Sequence, residues 1–216
     1  MKKIVLYGAG GFGREVANMI EIINLIKPQY ELIGFLVDKQ YYKKDTFING
    51  YPLLGDEEWL YNKKDIYCNC TIADSISRES IQSRLMKRGI KFQSLIAPDV
   101  YIPKSTKIGD GCVIFGRSLI SVNVTIAEGV FLNSCVTIGH DVVIEKYASI
   151  MPSVGISGGC VIGERARIGG HAFVVPNKKI GNDAVVAAGS ICFNNVKPNT
   201  TVLGNPAKRM RAIENF

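Results

Sequence analysis

His140 and His171 are the only histidines in the chain, and histidine is the side chain whose unperturbed pKa, about 6.5, suits it to exchange protons near neutral pH. His140 is followed directly by Asp141, a carboxylate able to hold the ring. Taken alone, this pair reads equally as a general base with its support or as a solvent-facing corner. A second chemical pattern is Gly8-Ala9-Gly10-Gly11-Phe12-Gly13. It has the G-x-G-x-x-G spacing in which backbone N–H groups approach a phosphate at a helix N-terminus. The six cysteines, Cys68, Cys70, Cys112, Cys135, Cys160 and Cys192, form no C-x-x-C pair. With only two histidines available, a Cys/His zinc cluster is not expected and no metal is predicted. The cysteines read as small hydrophobes in a reducing compartment.

The 216 residues carry 26 Lys and Arg against 19 Asp and Glu, a net charge of +7. That balance favours nucleic acid, a membrane surface or a phosphorylated small molecule. There is no dense basic block and no interleaving of aromatic with basic residues, so no nucleic-acid partner is expected. Phosphorylated ligands remain. A hydrophobic share of 47% with 21% charged residues belongs to a globular chain and excludes disorder. No apolar run approaches the roughly 20 residues of a membrane-spanning helix, so no membrane partner is expected. The basic then apolar start ends after five residues in glycines, short of a secretory segment of roughly 7–15 residues. A soluble, cytoplasmic protein is predicted.

The elements that must position these residues fall into two parts. Residues 3–7 read as a buried parallel strand running into the glycine loop, followed by a helix from about Arg14 to Ile26. Leu32 to Val37 reads as a second strand ending in Asp38, where an acid contacting a ribose or base would sit. A third strand is expected at Ile66–Cys70, a helix at Ser75–Lys87 and a short strand at Lys91–Leu95. Only about 90 residues precede the next part, half a dinucleotide fold, which suits one nucleotide better than two.

From Ile96 onward every sixth residue to Val186 is Ile, Leu or Val, sixteen positions in succession, thirteen of them Ile. Four residues after most of these stands a small or β-branched residue, Cys112 and Cys160 among them. Glycine often follows the aliphatic residue, as at Gly109, Gly139, Gly163, Gly169 and Gly181. Six fits neither a helix nor an alternating strand. It fits short strands joined by tight corners and stacked as a solenoid around an aliphatic ladder. A plain scaffold or an ice-binding surface is the simpler reading of such a repeat, but no row of exposed threonines recurs.

This repeat resembles the hexapeptide-repeat acyltransferases. The GAGG-x-G opening coupled to it is similar to the acetyltransferases of nucleotide-activated amino sugars, the bacillosamine, perosamine and viosamine N-acetyltransferases, together with the sialic-acid O-acetyltransferases. The resemblance covers essentially the whole chain. It implies an α/β N-terminal half-Rossmann domain, residues 1–94, followed by an all-β left-handed parallel β-helix with a C-terminal tail, residues 95–216. Three hexapeptides per coil give a little over five coils.

The segment from Asn133 to Asp141 resembles the family's N-x6-H-[ED]. The resemblance implies His140 as general base, Asp141 as its support and Asn133 as a sugar contact. Asp replaces the commoner Glu. On the same basis Gly8, Gly10, Gly11, Phe12, Asp38 and Asp74 belong to the nucleotide-sugar site. Ser149, Gly158, Ala188, Lys208 and Arg209 belong to the acetyl-CoA site, the last two within Gly204-Asn205-Pro206-Ala207-Lys208-Arg209, similar to the G-[VN]-P-A-K that ends the family's repeat. His171 lacks this context and reads as a surface or interface residue. Three departures stand out: Phe12 and Ser149 replace histidines of relatives, and Val37 removes one acid from the nucleotide pocket.

The resemblance implies N-acetylation by acetyl-CoA of the amino group, at C4, of a nucleotide-linked amino-deoxy sugar used in surface glycans. The enzyme would be a homotrimer with acetyl-CoA held between adjacent β-helices. A covalent route through Cys135 has no activating base beside it. O-acetylation of a sugar such as sialic acid is the alternative within the class. A nucleotide-binding regulatory module without chemistry is the alternative outside it, and the GNPAK ending opposes that reading.

Overall fold

The computed structural model describes residues 1–61, 63 and 65–210; residues 211–216 of the expected C-terminal tail lie outside them. The chain divides into two compact units, Met1–Pro98 with Asp110–Cys112, and Asp99–Gly109 with Val113–Phe216.

The first unit is a six-stranded sheet. Strand β1 (Lys2–Tyr7) lies between β2 (Tyr30–Leu36) and β5 (Ile66–Cys70), all parallel. Parallel strands are covered on both faces and so read as continuous apolar runs; Ile4 to Tyr7 are at most 1% exposed. Helix α1 (Gly11–Ile26) follows β1. It begins three residues earlier than the sequence predicts, because the glycines let its first turn run hard against the strand it leaves. A Cβ on Gly13 would collide with the carbonyl of Gly8.

Several elements between β2 and β5 have no counterpart in the expectation, a 3-10 turn at Lys39–Tyr41 among them. A hairpin of β3 (Phe47–Ile48) and β4 (Tyr51–Gly55) turns through Asn49 and Gly50, both at positive φ. That is the backbone of a two-residue type I′ turn. Strand β4 joins the sheet parallel to β2, and the short helix α2 (Glu58–Tyr61) follows it. Helix α3 (Ser75–Lys87) spans the predicted residues. The last strand, β6 (Lys91–Phe92), is shorter than predicted, with Leu95–Ile96 forming a separate strand. The sheet order is β3-β4-β2-β1-β5-β6.

The second unit is a left-handed parallel β-helix of two-residue strands. From Lys107 to Cys192 the strands pair in parallel at a spacing of eighteen residues, as in Leu119↔Thr137, Thr137↔Gly155 and Val143↔Val161, and beyond them Val185 pairs with Thr201. The ladder residues from Ile114 to Val186 are at most 6% exposed, and Cys192 extends the ladder beyond the sixteen positions read from the sequence. The corners obey the same period. From Gly111 to Gly189 every sixth residue has positive φ, and ten of those fourteen are not glycine. Each such residue carries the steric cost of the left-handed region, about 1–2 kcal/mol, offset by burial of the ladder. The glycines after the aliphatic residues have a separate cause, the close approach of the next coil. A Cβ on Gly109, Gly139 or Gly169 would stand 2.5–2.6 Å from the backbone nitrogen of Glu128, Gly158 or Ala188.

Candidate active site

In the first unit a groove of about 410 Å³ opens at the carboxyl ends of β1 and β2. Tyr7, Gly8, Gly10, Asp38, Tyr41 and Lys43 are among its lining residues. Ends of parallel strands are where such sheets bind ligands. Gly8 is held at φ +119, a conformation that favours glycine. Gly10 and Gly11 differ, because a Cβ on either would meet nothing within 4 Å. Helix α1 starts there with no side-chain cap and no acid in its first turn, leaving amides and the positive end of its dipole facing outward. The Tyr7 hydroxyl, on a residue 1% exposed, donates to Asp38 Oδ1 at 2.6 Å. Burial, reinforced by that carboxylate, raises the Tyr7 phenol well above its ordinary range.

Gly8, Gly10 and Asp38 are thus brought together. Gly11, Phe12 and Asp74 are not among the groove's lining residues. Asp74 caps α3, accepting from the Ser77 amide at 2.8 Å. Tyr7, Tyr41 and Lys43 were missed by the sequence reading: Tyr7 looked like the end of a buried strand, and its partner lies 31 residues away.

In the second unit, His140 Nδ1 lies 2.7 Å from Asp141 Oδ2, with the two side chains 66% and 56% exposed. The imidazole extends over the next coil. A Cβ on Gly158 would stand 2.5 Å from His140 Nε2, so this position must lack a side chain for the ring to lie there. The N–H of Gly158 donates to no acceptor among the described residues, and the same holds for Ala188, which occupies the same place over Gly169. The imidazole, and secondarily the Asn123 amide, hold the Asp141 carboxyl below the ordinary carboxylate range. Asn123 Nδ2 donates to Asp141 Oδ1 at 3.0 Å. No reading of the sequence named Asn123; its signal is the eighteen-residue offset from Asp141.

The remaining predicted residues are dispersed. Asn133 is half-buried and accepts from the Ser134 amide at 2.7 Å. Ser149 is 3% exposed, which leaves its hydroxyl little surface to offer a ligand. Lys208 and Arg209 form an exposed two-residue strand antiparallel to Thr201–Leu203. His171 lines a groove of about 430 Å³ with Gly139, Ser153, Gly155 and Phe173. All six cysteines are free and only Cys135 is exposed. Among the described residues no group of three or more His, Cys, Asp or Glu could hold a metal ion, and no helix is long and apolar enough to cross a membrane.

His140 thus stands on a β-helix of six-residue repeats, held at Nδ1 by Asp141 and with Nε2 over Gly158. The model of the PglD N-terminal domain matches residues 3–85, and that of the GMPPB C-terminal domain matches residues 96–199. The GDP-perosamine N-acetyltransferase of Escherichia coli O157:H7 is 30% identical over 95% of both chains. Among solved structures, the acetyltransferase domain of PglB from Neisseria gonorrhoeae FA1090, in complex with acetyl coenzyme A, superposes with a TM-score of 0.89 at 27% identity, over 97% of this chain and 99% of that one. WeeI from Acinetobacter baumannii AYE superposes with a TM-score of 0.85 at 27% identity, over 96% and 99%. The chain belongs to the hexapeptide-repeat nucleotide-sugar acetyltransferase family.

Proposed function

We propose that the protein transfers the acetyl group of acetyl-CoA to the amino group, at C4, of a nucleotide-linked amino-deoxy sugar destined for a surface glycan. The observation that carries this reading is the His140–Asp141 pair with Nε2 laid over Gly158, in a chain 30% identical to a GDP-perosamine N-acetyltransferase.

The sugar amine attacks the thioester carbonyl directly, forming a C–N bond. His140 Nε2 accepts the proton that the nitrogen loses, while Asp141 holds Nδ1–H and supports the imidazolium. The tetrahedral oxyanion is met by backbone N–H groups near Gly158. The C–S bond then breaks, and the imidazolium returns its proton to the leaving thiolate. The first unit holds the nucleotide: phosphates at the unfilled space beside Gly10 and the start of α1, ribose or base at Asp38. Lys208 and Arg209 meet the phosphates of CoA, beside contacts at Gly158 and Ala188. The working particle is a homotrimer in the cytoplasm, with acetyl-CoA between adjacent β-helices, and light scattering should return three chains per particle.

The test is release of CoA thiol from acetyl-CoA against UDP-, dTDP- and GDP-linked 4-amino-4,6-dideoxy sugars, with free sialic acid in the same panel. One amino sugar should turn over, and His140→Ala should lower that rate by about a hundredfold or more. Turnover on sialic acid alone would replace the reading with O-acetylation.

A further inference from the structure

Asp141 and His140 are an exposed pair, and solvent screening leaves exposed ion pairs only a weak hold on their geometry. A base that must present one nitrogen to an amine needs more than that. The structure supplies a second anchor. Asp141 Oδ2 faces His140 Nδ1 at 2.7 Å, and its other oxygen, Oδ1, faces Asn123 Nδ2 at 3.0 Å. An ionised carboxylate can only accept, so both facing atoms are donors. Nδ1 therefore carries a proton, and in the neutral imidazole Nε2, the nitrogen over Gly158, is bare.

The backbone accounts for the reach of Asn123. Asn123 and Asp141 have φ of 59° and 60° and lie eighteen residues apart, at the same corner of consecutive coils. Arg165 and Asp183 repeat the relation, with guanidinium contacts of 2.7 and 2.8 Å to the carboxylate. Side chains at this corner run along the solenoid axis toward the next coil. The turns flanking Asp141 contribute Val122, Asn123, Ser157, Gly158 and Gly159, none of them charged, so the amide is the polar group that fixes the carboxylate from the far side.

We propose that Asn123 is a positioning residue for the transfer reaction: its amide locks Asp141 in the rotamer that orients His140 and selects the tautomer with Nε2 free. The inference rests on His140 acting as the base.

The left-handed backbone dictates the test. Asn123→Gly removes the amide at a φ that glycine adopts freely, so the fold should be kept; Asn123→Asp keeps the shape and adds a charge beside the pair. With Asn123→Gly, kcat should fall by about tenfold, with both KM values within twofold and an unchanged Tm. With Asn123→Asp, the acid limb of kcat should move to higher pH by roughly half a unit. Nuclear magnetic resonance reads the same coupling without turnover, since the chain carries only two imidazoles. The His140 signal should lose its Nδ1–H tautomer in Asn123→Gly and titrate higher in Asn123→Asp, while His171 stays fixed. An unmoved His140 signal, or a loss of kcat matched by a loss of Tm, would overturn the inference while leaving the base reading intact. Full activity of His140→Ala would overturn the base reading and with it the inference.

Discussion

Glycine serves opposite ends in the two units. In the α/β unit, Gly10 and Gly11 border space in which a Cβ would meet nothing within 4 Å. In the β-helix, Gly109, Gly139, Gly158 and Gly169 are glycine because protein already fills the place of a side chain. A glycine that faces emptiness with no positive φ to require it, as at Gly10 and Gly11, points to a ligand, and a glycine facing backbone points to packing. Gly13 shows that both kinds share one loop, since its missing Cβ is replaced by the Gly8 carbonyl. Gly158 lies between the two kinds, because the group that fills its space is the exposed His140 imidazole rather than backbone.

Alanine at each kind of glycine separates these cases. The largest effect is expected from Gly13→Ala, where two backbone segments would have to part. Overpacking of that kind costs about 3 kcal/mol, or roughly 6–12 °C in Tm at this chain length, measurable by calorimetry. Gly158→Ala should leave Tm within about 2 °C, since an exposed ring can swing away. Its kcat should nevertheless fall by about ten- to a hundredfold, and a kcat equal to that of the parent would break the link between this glycine and the chemistry. Gly10→Ala should leave Tm and kcat unchanged and raise KM for the nucleotide sugar by about tenfold. A lowered Tm there would show that the space beside Gly10 is structural.

The smallest effect belongs to the side-chain columns of the solenoid. The Arg165 guanidinium holds the Asp183 carboxyl below its ordinary range. A carboxylate depressed in this way stabilises the fold above the ordinary carboxylate pKa, and the contribution is lost as pH falls through the lowered value. Asp183→Asn should therefore cost about 0.5–1 kcal/mol near neutrality, and thermal melts of parent and variant should converge in acid.

The aliphatic ladder was legible because its period runs unbroken from Ile96 to Val186, and no other packing accommodates six. The start of α1 was obscured because glycine is a poor helix former, and only the contact of Gly13 with Gly8 explains a helix that begins among glycines. The β3–β4 hairpin was overlooked although Asn49-Gly50 is a strong turn signal. Its flanking strands, one of two residues and one interrupted by Pro52, show too little alternation to be read as strands. In the site, His140 and Asp141 were legible as neighbours in the chain. Asn123 and Tyr7 were not, because each acts on a partner that only the fold brings near: one coil away for Asn123, one strand over for Tyr7. A search for polar residues spaced by eighteen would have found Asn123.

The eighteen-residue pairing also bears on how the chain acquires its structure. From Lys107 to Cys192 every rung bonds to its neighbour over the same short separation. The entropy of closing each loop is therefore nearly constant, and no pairing waits on a distant segment. Such a solenoid can nucleate at any pair of coils and grow by accretion. Because the coil spanning Asn123 to Asp141 is one such local step, the corner that carries His140 can assemble before the last strands have joined.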